Sequence, residues 1–147
     1  MSTVNTTLSN SNQQITNYNT AKIFLGSNTY ETGFYNNSGY ADVVLEAGTL
    51  MGRVATTDEL IPLFSDATDG SQYPVGILSH DITIEPGITA TITICTSGEV
   101  DGDLVVLNPG DTMETVISTR RIKDRIASDT VGIVLRFGTE LTGTDNQ

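Results

Sequence analysis

The residues best suited to nucleophilic catalysis are scarce in this chain of 147 residues. His80 is the only histidine and Cys95 the only cysteine, so a thiol–imidazole pair would have to combine these two. Cys95 closes an alternating segment, where a small buried or half-buried residue is the ordinary interpretation. A single cysteine cannot form an internal disulfide, so the fold does not depend on an oxidising compartment.

Two acidic turns have some of the residue types of a calcium loop. One contains Asp66, Asp69 and Gly70, and the other is residues 101–103 (DGD). Neither has the spaced oxygen ligands and distal glutamate of an EF-hand loop, so a polar turn is the better interpretation. The sequence also has no Gly-x-x-x-x-Gly-Lys phosphate loop, dinucleotide fingerprint or Cys/His zinc spacing. We therefore expect no enzyme activity, no cofactor and no metal site.

A basic cluster is the one place where a polyanion could bind. It contains four of the seven basic residues, Arg120, Arg121, Lys123 and Arg125. Arg120 and Asp124 are spaced for a weak helical ion pair. In a protein of net charge −11, pairing with acidic loops of the same chain or of a neighbouring subunit is the favoured interpretation. The overall acidity also argues against binding to a nucleic-acid backbone.

The composition favours a single β-rich domain with its own core. Thr, Ser, Asn and Gly are abundant and Trp is absent, as is typical of strands and turns. Residues 88–95 alternate between Ile or Ala on one face and Thr on the other, and the Thr face is expected to meet solvent or a neighbouring subunit. One helix is predicted at 119–127, where Ile122 and Ile126 share a face and Ser118 or Thr119 can cap the start.

The predicted fold class is α+β and mostly β, with short antiparallel or mixed strands and one short helix near the C-terminus. Further strands are predicted at 41–45, 49–55, 60–64, 75–78, 80–84, 104–107 and 131–137. Turns are predicted at 36–39 (as a hairpin), 66–72, 85–87, 97–103 and 108–111. The predicted organisation is a flexible arm (1–20), a β-rich domain (21–138) and a polar tail (139–147). No apolar run reaches the ~20 residues of a membrane span, and no secretory signal is predicted.

The arm at residues 1–20 has no charged side chain. Its apolar residues are Val4, Leu8, Ile15 and Tyr18. These are too few to offset the entropy of ordering, so the isolated arm should be flexible. Its threonines tolerate an extended backbone, which makes it a candidate strand donor to the sheet edge of a partner. A tail without a role is the alternative.

Three segments in one order carry a family resemblance: 47–54 (AGTLMGRV), 67–72 (ATDGSQ) and 74–78 (PVGIL). This run resembles the head decoration (capsid cement) proteins of tailed phages, the lambda type. A helix followed by a Gly-Ile strand near the C-terminus also recurs in that family. The resemblance implies homotrimers at three-fold sites on the outer surface of an icosahedral capsid, assembled in the host bacterial cytoplasm. There they would bridge the major capsid protein and stabilise the expanded shell against internal DNA pressure.

The resemblance also implies roles for particular residues. It makes the arm the grip on the capsid, through Val4, Leu8, Ile15, Tyr18, Lys22 and Ile23. The candidate subunit or shell interface consists of Asp69, Gly70, Gln72, Arg120 and Arg121. An acidic protein is repelled by packaged DNA, which suits an outer position, although the charge could serve solubility alone.

An alternative function is a virion-surface fibre base or adhesin that binds carbohydrate. The aromatic residues that could stack on sugars are Tyr30, Phe34, Tyr35 and Tyr40. Core or subunit packing is the favoured use of these side chains.

Overall fold

The computed structural model describes residues 23–138. Its longest strand, β7, lies at the centre of the main sheet. The predicted arm, Lys22 and the predicted tail lie outside the described residues. The described elements are β1 (Thr29–Asn36), β2 (Val43–Leu45), β3 (Leu50–Arg53), β4 (Leu60–Pro62), β5 (Pro74–Leu78), β6 (Ile82–Ile84), β7 (Thr89–Asp101), a 3₁₀ turn (Gly102–Leu104), β8 (Val116–Ile117), β9 (Arg120–Arg121), α1 (Ile122–Asp129) and β10 (Gly132–Arg136).

The main sheet has the strand order β1-β7-β5-β3-β4, with each neighbouring pair antiparallel. β10 pairs parallel with residues 97–101 of β7, beyond the end of the β5 pairing. β2 and β6 form a separate two-stranded sheet, and β8 and β9 form a small hairpin. The α+β, mostly β fold class with a short C-terminal helix is therefore confirmed.

The main sheet curls until β1 and β4 meet. Gly33 of β1 lies against Leu60 of β4, and a Cβ at Gly33 would overlap the Leu60 side chain. The Asn36 N–H donates to the Glu59 carboxylate at 2.9 Å, directly before β4. Because Gly33 has no side chain, β1 and β4 can pack against each other although they are not hydrogen-bonded neighbours in the sheet.

The two faces of the main sheet bury separate apolar clusters. The first packs against β2 and β6 and consists of Leu45, Met51, Leu60, Leu78, Ile84, Ile92 and Ile94. The second packs against α1 and includes Ile77, Cys95, Val100, Ile122, Ile126 and Ile133. Neighbouring residues of a strand point to opposite faces, so Ile94 belongs to one cluster and Cys95 to the other. The alternation predicted for 88–95 is confirmed in part: Thr89 and Thr91 are exposed and Ile92 and Ile94 are buried. Ile88 lies before β7 and is exposed, and Cys95 is buried on the other face.

The hairpin predicted at 36–39 is wrong, because β1 pairs with β7 and β2 pairs with β6. The segment is instead a corner between two sheets, built on the buried side chain of Asn37. Its Nδ2 donates to the carbonyls of Ala41 (2.9 Å) and Ile84 (2.8 Å), and its Oδ1 accepts from the Gly39 N–H. A buried amide with these three partners fixes the direction in which the chain leaves β1.

The turn predicted at 97–99 is also wrong, since β7 continues to Asp101. Gly98 is a strand residue that leaves room for a neighbour, because a Cβ there would lie 2.6 Å from Cγ of Asn28. The Asn28 amide donates to Cys95 Sγ (3.3 Å) and to the Glu99 carbonyl (3.0 Å). The strand predicted at 104–107 is replaced by the 3₁₀ turn and a single bridge from Val106 to Thr49.

The predicted start of the helix is wrong by three residues. α1 begins at Ile122, and Arg121 precedes it in extended conformation without a side-chain cap. Ser118 (φ 52°) and Thr119 (φ 93°) form the turn of the β8–β9 hairpin instead of capping the helix. The reason is tertiary: Ile117 is buried in the cluster under α1, and the pairing of β8 with β9 holds it there.

Candidate functional site

Cys95 and His80 do not form a nucleophile pair. Cys95 is fully buried, and its Sγ accepts from Asn28 and donates to the Ser97 carbonyl, both at 3.3 Å. Burial raises the pKa of this thiol, so it stays protonated at neutral pH. His80 is exposed, and its Nδ1 lies 2.7 Å from the Ser79 hydroxyl. Cys95 therefore acts as a packing residue in the described domain.

Sequence reasoning missed the adjacency of Ser79, His80 and Asp81, which is visible in the sequence order alone. These residues line a recess of about 140 Å³ after β5. Ser79 is buried, and the Asp81 carboxylate accepts the Ala47 N–H at 2.7 Å rather than facing the imidazole. The arrangement lacks the acid-to-His-to-Ser order of a catalytic triad and instead fixes the loop at Ala47.

The Asp69 carboxylate builds the turn between β4 and β5. Its Oδ1 accepts from the Ser71 hydroxyl (2.6 Å) and the Ser71 N–H (3.1 Å), and these bonds lower the pKa of Asp69. Gly70 has φ 101°, and its N–H donates to Gln72 Oε1 at 2.9 Å. Similarly, Asp101 accepts the Asp103 N–H at 3.0 Å. Among the described residues, no three His, Cys, Asp or Glu side chains are grouped to hold a metal ion.

Most of the basic cluster is paired within the chain. Arg121 contacts Glu114 (2.9 Å) and Asp124 (3.0 Å), and Lys123 contacts Glu114 (3.0 Å). Hydrogen bonds from Lys123 and then Arg121 hold the pKa of Glu114 below its ordinary value. The predicted pair of Arg120 with Asp124 is wrong, because Arg120 lies in β9 and Asp124 is bound by Arg121.

Arg125 pairs with Asp129 at 3.0 Å and also holds the β8–β9 hairpin. Its Nε donates to the Ile117 carbonyl at 2.6 Å, and its guanidinium lies 4.8 Å from the centre of the Tyr73 ring. The Tyr73 hydroxyl in turn lies 3.3 Å from the Ser118 hydroxyl. This hydrogen bond, together with that of Gln72, lowers the pKa of Tyr73.

Tyr73 thus joins the two segments of the predicted interface. We call their exposed and half-buried residues the turn–hairpin surface. It consists of Asp69, Gly70, Gln72, Tyr73, Ser118, Thr119 and Arg120. Tyr73 was not selected from the sequence, although an aromatic residue beside a turn is a recognisable signal for packing.

The arm would leave the domain at Ile23, the first described residue. Ile23 is 7% exposed and belongs to the cluster under α1, with its Cδ1 beside Gly48. Phe24 forms a bridge with Val100, and the Leu25 N–H donates to the Glu99 carbonyl at 2.9 Å. The other predicted capsid-binding residues, Val4, Leu8, Ile15, Tyr18 and Lys22, lie outside the described residues.

The aromatic residues of the carbohydrate alternative are distributed over different environments. Tyr30 packs edge-to-face on Phe24, with ring centres 5.7 Å apart. Tyr35 packs on the opposite face of β1, against the cluster under β2 and β6. Tyr40 is fully exposed in the corner after Asn37. Phe34 is half-buried and shares a face of β1 with Tyr30, whereas Tyr35 lies on the other face, so the four side chains are not on one surface.

The described part of the chain is a small β-rich domain with one short helix near its C-terminal side. No described helix is long and apolar enough to cross a membrane. A family model, that of the bacteriophage lambda head decoration protein D, matches residues 34–119, which is more than half of the chain. The chain belongs to this family. The family is a structural one found on the phage head. A search of curated proteins gives no match.

Proposed function

We propose that this protein binds the outer surface of an icosahedral phage capsid as homotrimers at three-fold sites. There it stabilises the expanded shell against the pressure of packaged DNA. The family match over residues 34–119 carries the proposal, because it spans the Asp69 turn and most of the main sheet. The work is mechanical, so it depends on interface area and complementarity rather than on a reacting group.

The charge distribution supports an outer position. The net charge is −11, and Arg121, Lys123, Arg125 and Arg136 all pair with carboxylates of the same chain. The part of the surface formed by residues 23–138 thus offers few free cations to a nucleic-acid backbone. Because its net charge is negative, the protein is repelled by the phosphates of packaged DNA. Its binding to the particle can then depend on contacts with the shell protein.

The proposal assigns the grip on the shell to the arm. An uncharged segment that adds a strand to a partner's sheet binds mainly through its backbone N–H and C=O groups. Burial of Ile23 and the bridge from Phe24 to Val100 give the arm a rigid root in the domain. Force on the arm is therefore transmitted directly to β7. Repetition of the contact around a trimer and a shell multiplies its strength.

The test is co-sedimentation of the full chain with purified expanded shells that lack decoration protein. The full chain should be retained, and a chain without residues 1–20 should lose at least ~10-fold in affinity. Thr6→Pro and Thr7→Pro each remove an N–H, and successive N–H groups of a strand point to opposite edges. One of the two should therefore weaken binding, while the controls Thr6→Ser and Thr7→Ser should not. Normal retention of the truncated chain would overturn the assignment of the grip to the arm.

A further inference from the structure

The turn–hairpin surface carries both signs of charge in unpaired form. Arg120 is exposed, and among the described residues its side chain has neither an ion pair nor a hydrogen bond. Of the other described basic residues, Arg53 donates to the Asp58 carbonyl and the rest pair with carboxylates. Asp69 is also exposed and forms no ion pair within the described part, and its hydrogen bonds there all use Oδ1. Its Oδ2 is left for an outside partner.

Both charges are carried by rigid turns. Ser71 and Gln72 hold the Asp69 turn, and the Arg125 bond to the Ile117 carbonyl holds the hairpin. The hydrogen bond between Tyr73 and Ser118 fixes one turn relative to the other. Little backbone conformational entropy therefore remains to be lost when this surface binds a partner. Tyr and Arg are also among the residue types enriched in the centres of protein interfaces.

We infer that this surface is the contact between subunits, and that Arg120 of one copy pairs with Asp69 of the next copy around a three-fold axis. The inference rests on the proposed homotrimer and names the surface that forms it. In a closed ring, each contact joins two different patches of neighbouring copies. Asp69 and Arg120 can both lie near a rotation axis, each on a different patch. The neighbouring copy then supplies an arginine to Asp69 and an aspartate to Arg120.

A double-mutant cycle on the full-length protein tests this pairing. Arg120→Gln removes the cation and keeps the side-chain length. Asp69→Asn removes the anion but keeps an Oδ1 that accepts from Ser71. Asp42→Asn is the matched control, because Asp42 is an exposed acid in the loop before β2, outside the turn–hairpin surface. The measured quantity is the trimer–monomer dissociation constant, obtained by sedimentation at low and at raised salt.

Each single change should weaken the trimer by about 30-fold, since an exposed ion pair contributes about threefold per contact and a ring has three contacts. The double variant should be no weaker than either single one, because the same pair is lost in all three. Raised salt should reduce the difference from wild type. Multiplying effects in the double variant, or single variants equal to the Asp42→Asn control, would overturn the inference.

Measuring how much of each variant is retained on expanded shells tests the proposed function independently of the proposed subunit contact. If wild-type trimers bind shells but Arg120 and Asp69 show no coupling, the inference fails and the capsid function stands. If the coupling is found but no species binds shells, the subunit contact stands and the capsid function fails. If the two variants reduce shell retention while the trimer constant is unchanged, the surface faces the shell and the inference is wrong. A wild type that stays monomeric in solution at all accessible concentrations and also on the shell overturns both the trimer and the inference.

Discussion

The turn at residues 69–72 and the turn at Ser118 and Thr119 lie side by side, joined by the hydrogen bond of Tyr73 with Ser118. In the first, glycine occupies the position with positive φ, and Asp69 and Gln72 accept the neighbouring N–H groups. In the second, two residues with a Cβ have positive φ, and one of them is the β-branched Thr119. The first turn is stable through its own residues, whereas the second depends on what packs around it.

This difference suggests that the two turns have different sensitivities to the rest of the fold. The hairpin is tied to α1 by Arg125 and by the Ile122 N–H, which donates to the Thr115 carbonyl at 2.8 Å. The Asp69 turn is tied instead to β3, since the Ala55 N–H donates to the Asp69 carbonyl at 2.8 Å. Weakening α1 should therefore release one turn and leave the other in place.

The largest expected effect comes from Ile126→Ala. Ile126 is fully buried under α1, so its truncation should lower the free energy of unfolding by about 2–4 kcal/mol. In hydrogen exchange, the amides of Arg120 and Ile122, which belong to the hydrogen-bonded pairs of the hairpin, should lose more protection than the amide of Ser71. The matched control is Ile92→Ala, which removes the same atoms from the opposite cluster. It should destabilise the fold without selectively exposing the hairpin. Equal loss at both turns in Ile126→Ala would show that both depend on the helix.

A second comparison replaces the glycine at positive φ in the first turn by alanine, and the threonine at positive φ in the second turn by glycine. Gly70→Ala should destabilise the fold by about 1–2 kcal/mol, because φ is 101° and the new Cβ would lie 3.0 Å from the Arg53 carbonyl oxygen. Thr119→Gly should have the opposite sign and stabilise by about 0.5 kcal/mol, since relief of strain exceeds the entropy lost to glycine. Chemical denaturation measures both changes.

Gly87→Ala is the control that separates backbone strain from crowding. Gly87 also has positive φ (78°), but nothing lies within 4 Å of the Cβ that a substitution would add. It should cost less than Gly70→Ala. A destabilising Thr119→Gly would mean that the Thr119 side chain makes a contribution larger than its strain.

The same contrast explains what could be predicted from the sequence. The Asp69 turn, the strand opened by Pro74 and the alternation from Thr89 to Ile94 are determined by neighbouring residues, and the structure confirms them. The hairpin at Ser118 has the local signals of a helix cap, and it is fixed instead by burial of Ile117. Gly98 and Asn37 were likewise interpreted as turn signals, although their roles depend on Asn28 and Ile84, which are distant in the chain.

In the candidate interaction site, too, local features could be predicted from the sequence and contacts between distant residues could not. Asp69, Gly70, Gln72 and Arg120 could be selected from the sequence as exposed polar residues in a matched family. The contact that joins their two segments could not, because it depends on Tyr73 reaching a residue 45 positions away. Burial of Ile23 in the domain's own core is also a tertiary property.

The smallest expected effects concern acid pH. The folded-state pKa values of Asp69 and Glu114 are both lowered, by Ser71 in the first case and by Lys123 and Arg121 in the second. The stabilisation from each carboxylate is therefore complete above its unfolded pKa of about 4 and is lost as pH falls through the folded pKa. Asp69→Asn and Glu114→Gln should each make stability less dependent on pH in this range.

Salt should distinguish the two carboxylates. Glu114 acts through exposed ion pairs beside the hairpin, so the difference between wild type and Glu114→Gln should shrink at high salt. Within a single copy, Asp69 acts through hydrogen bonds to a hydroxyl and a backbone N–H of its own turn. At protein concentrations where the chain is monomeric, the Asp69→Asn difference should therefore persist. Thermal unfolding between pH 3 and pH 7 at two salt concentrations measures both. An equal salt response would mean that the first turn depends on long-range charge as much as the second does.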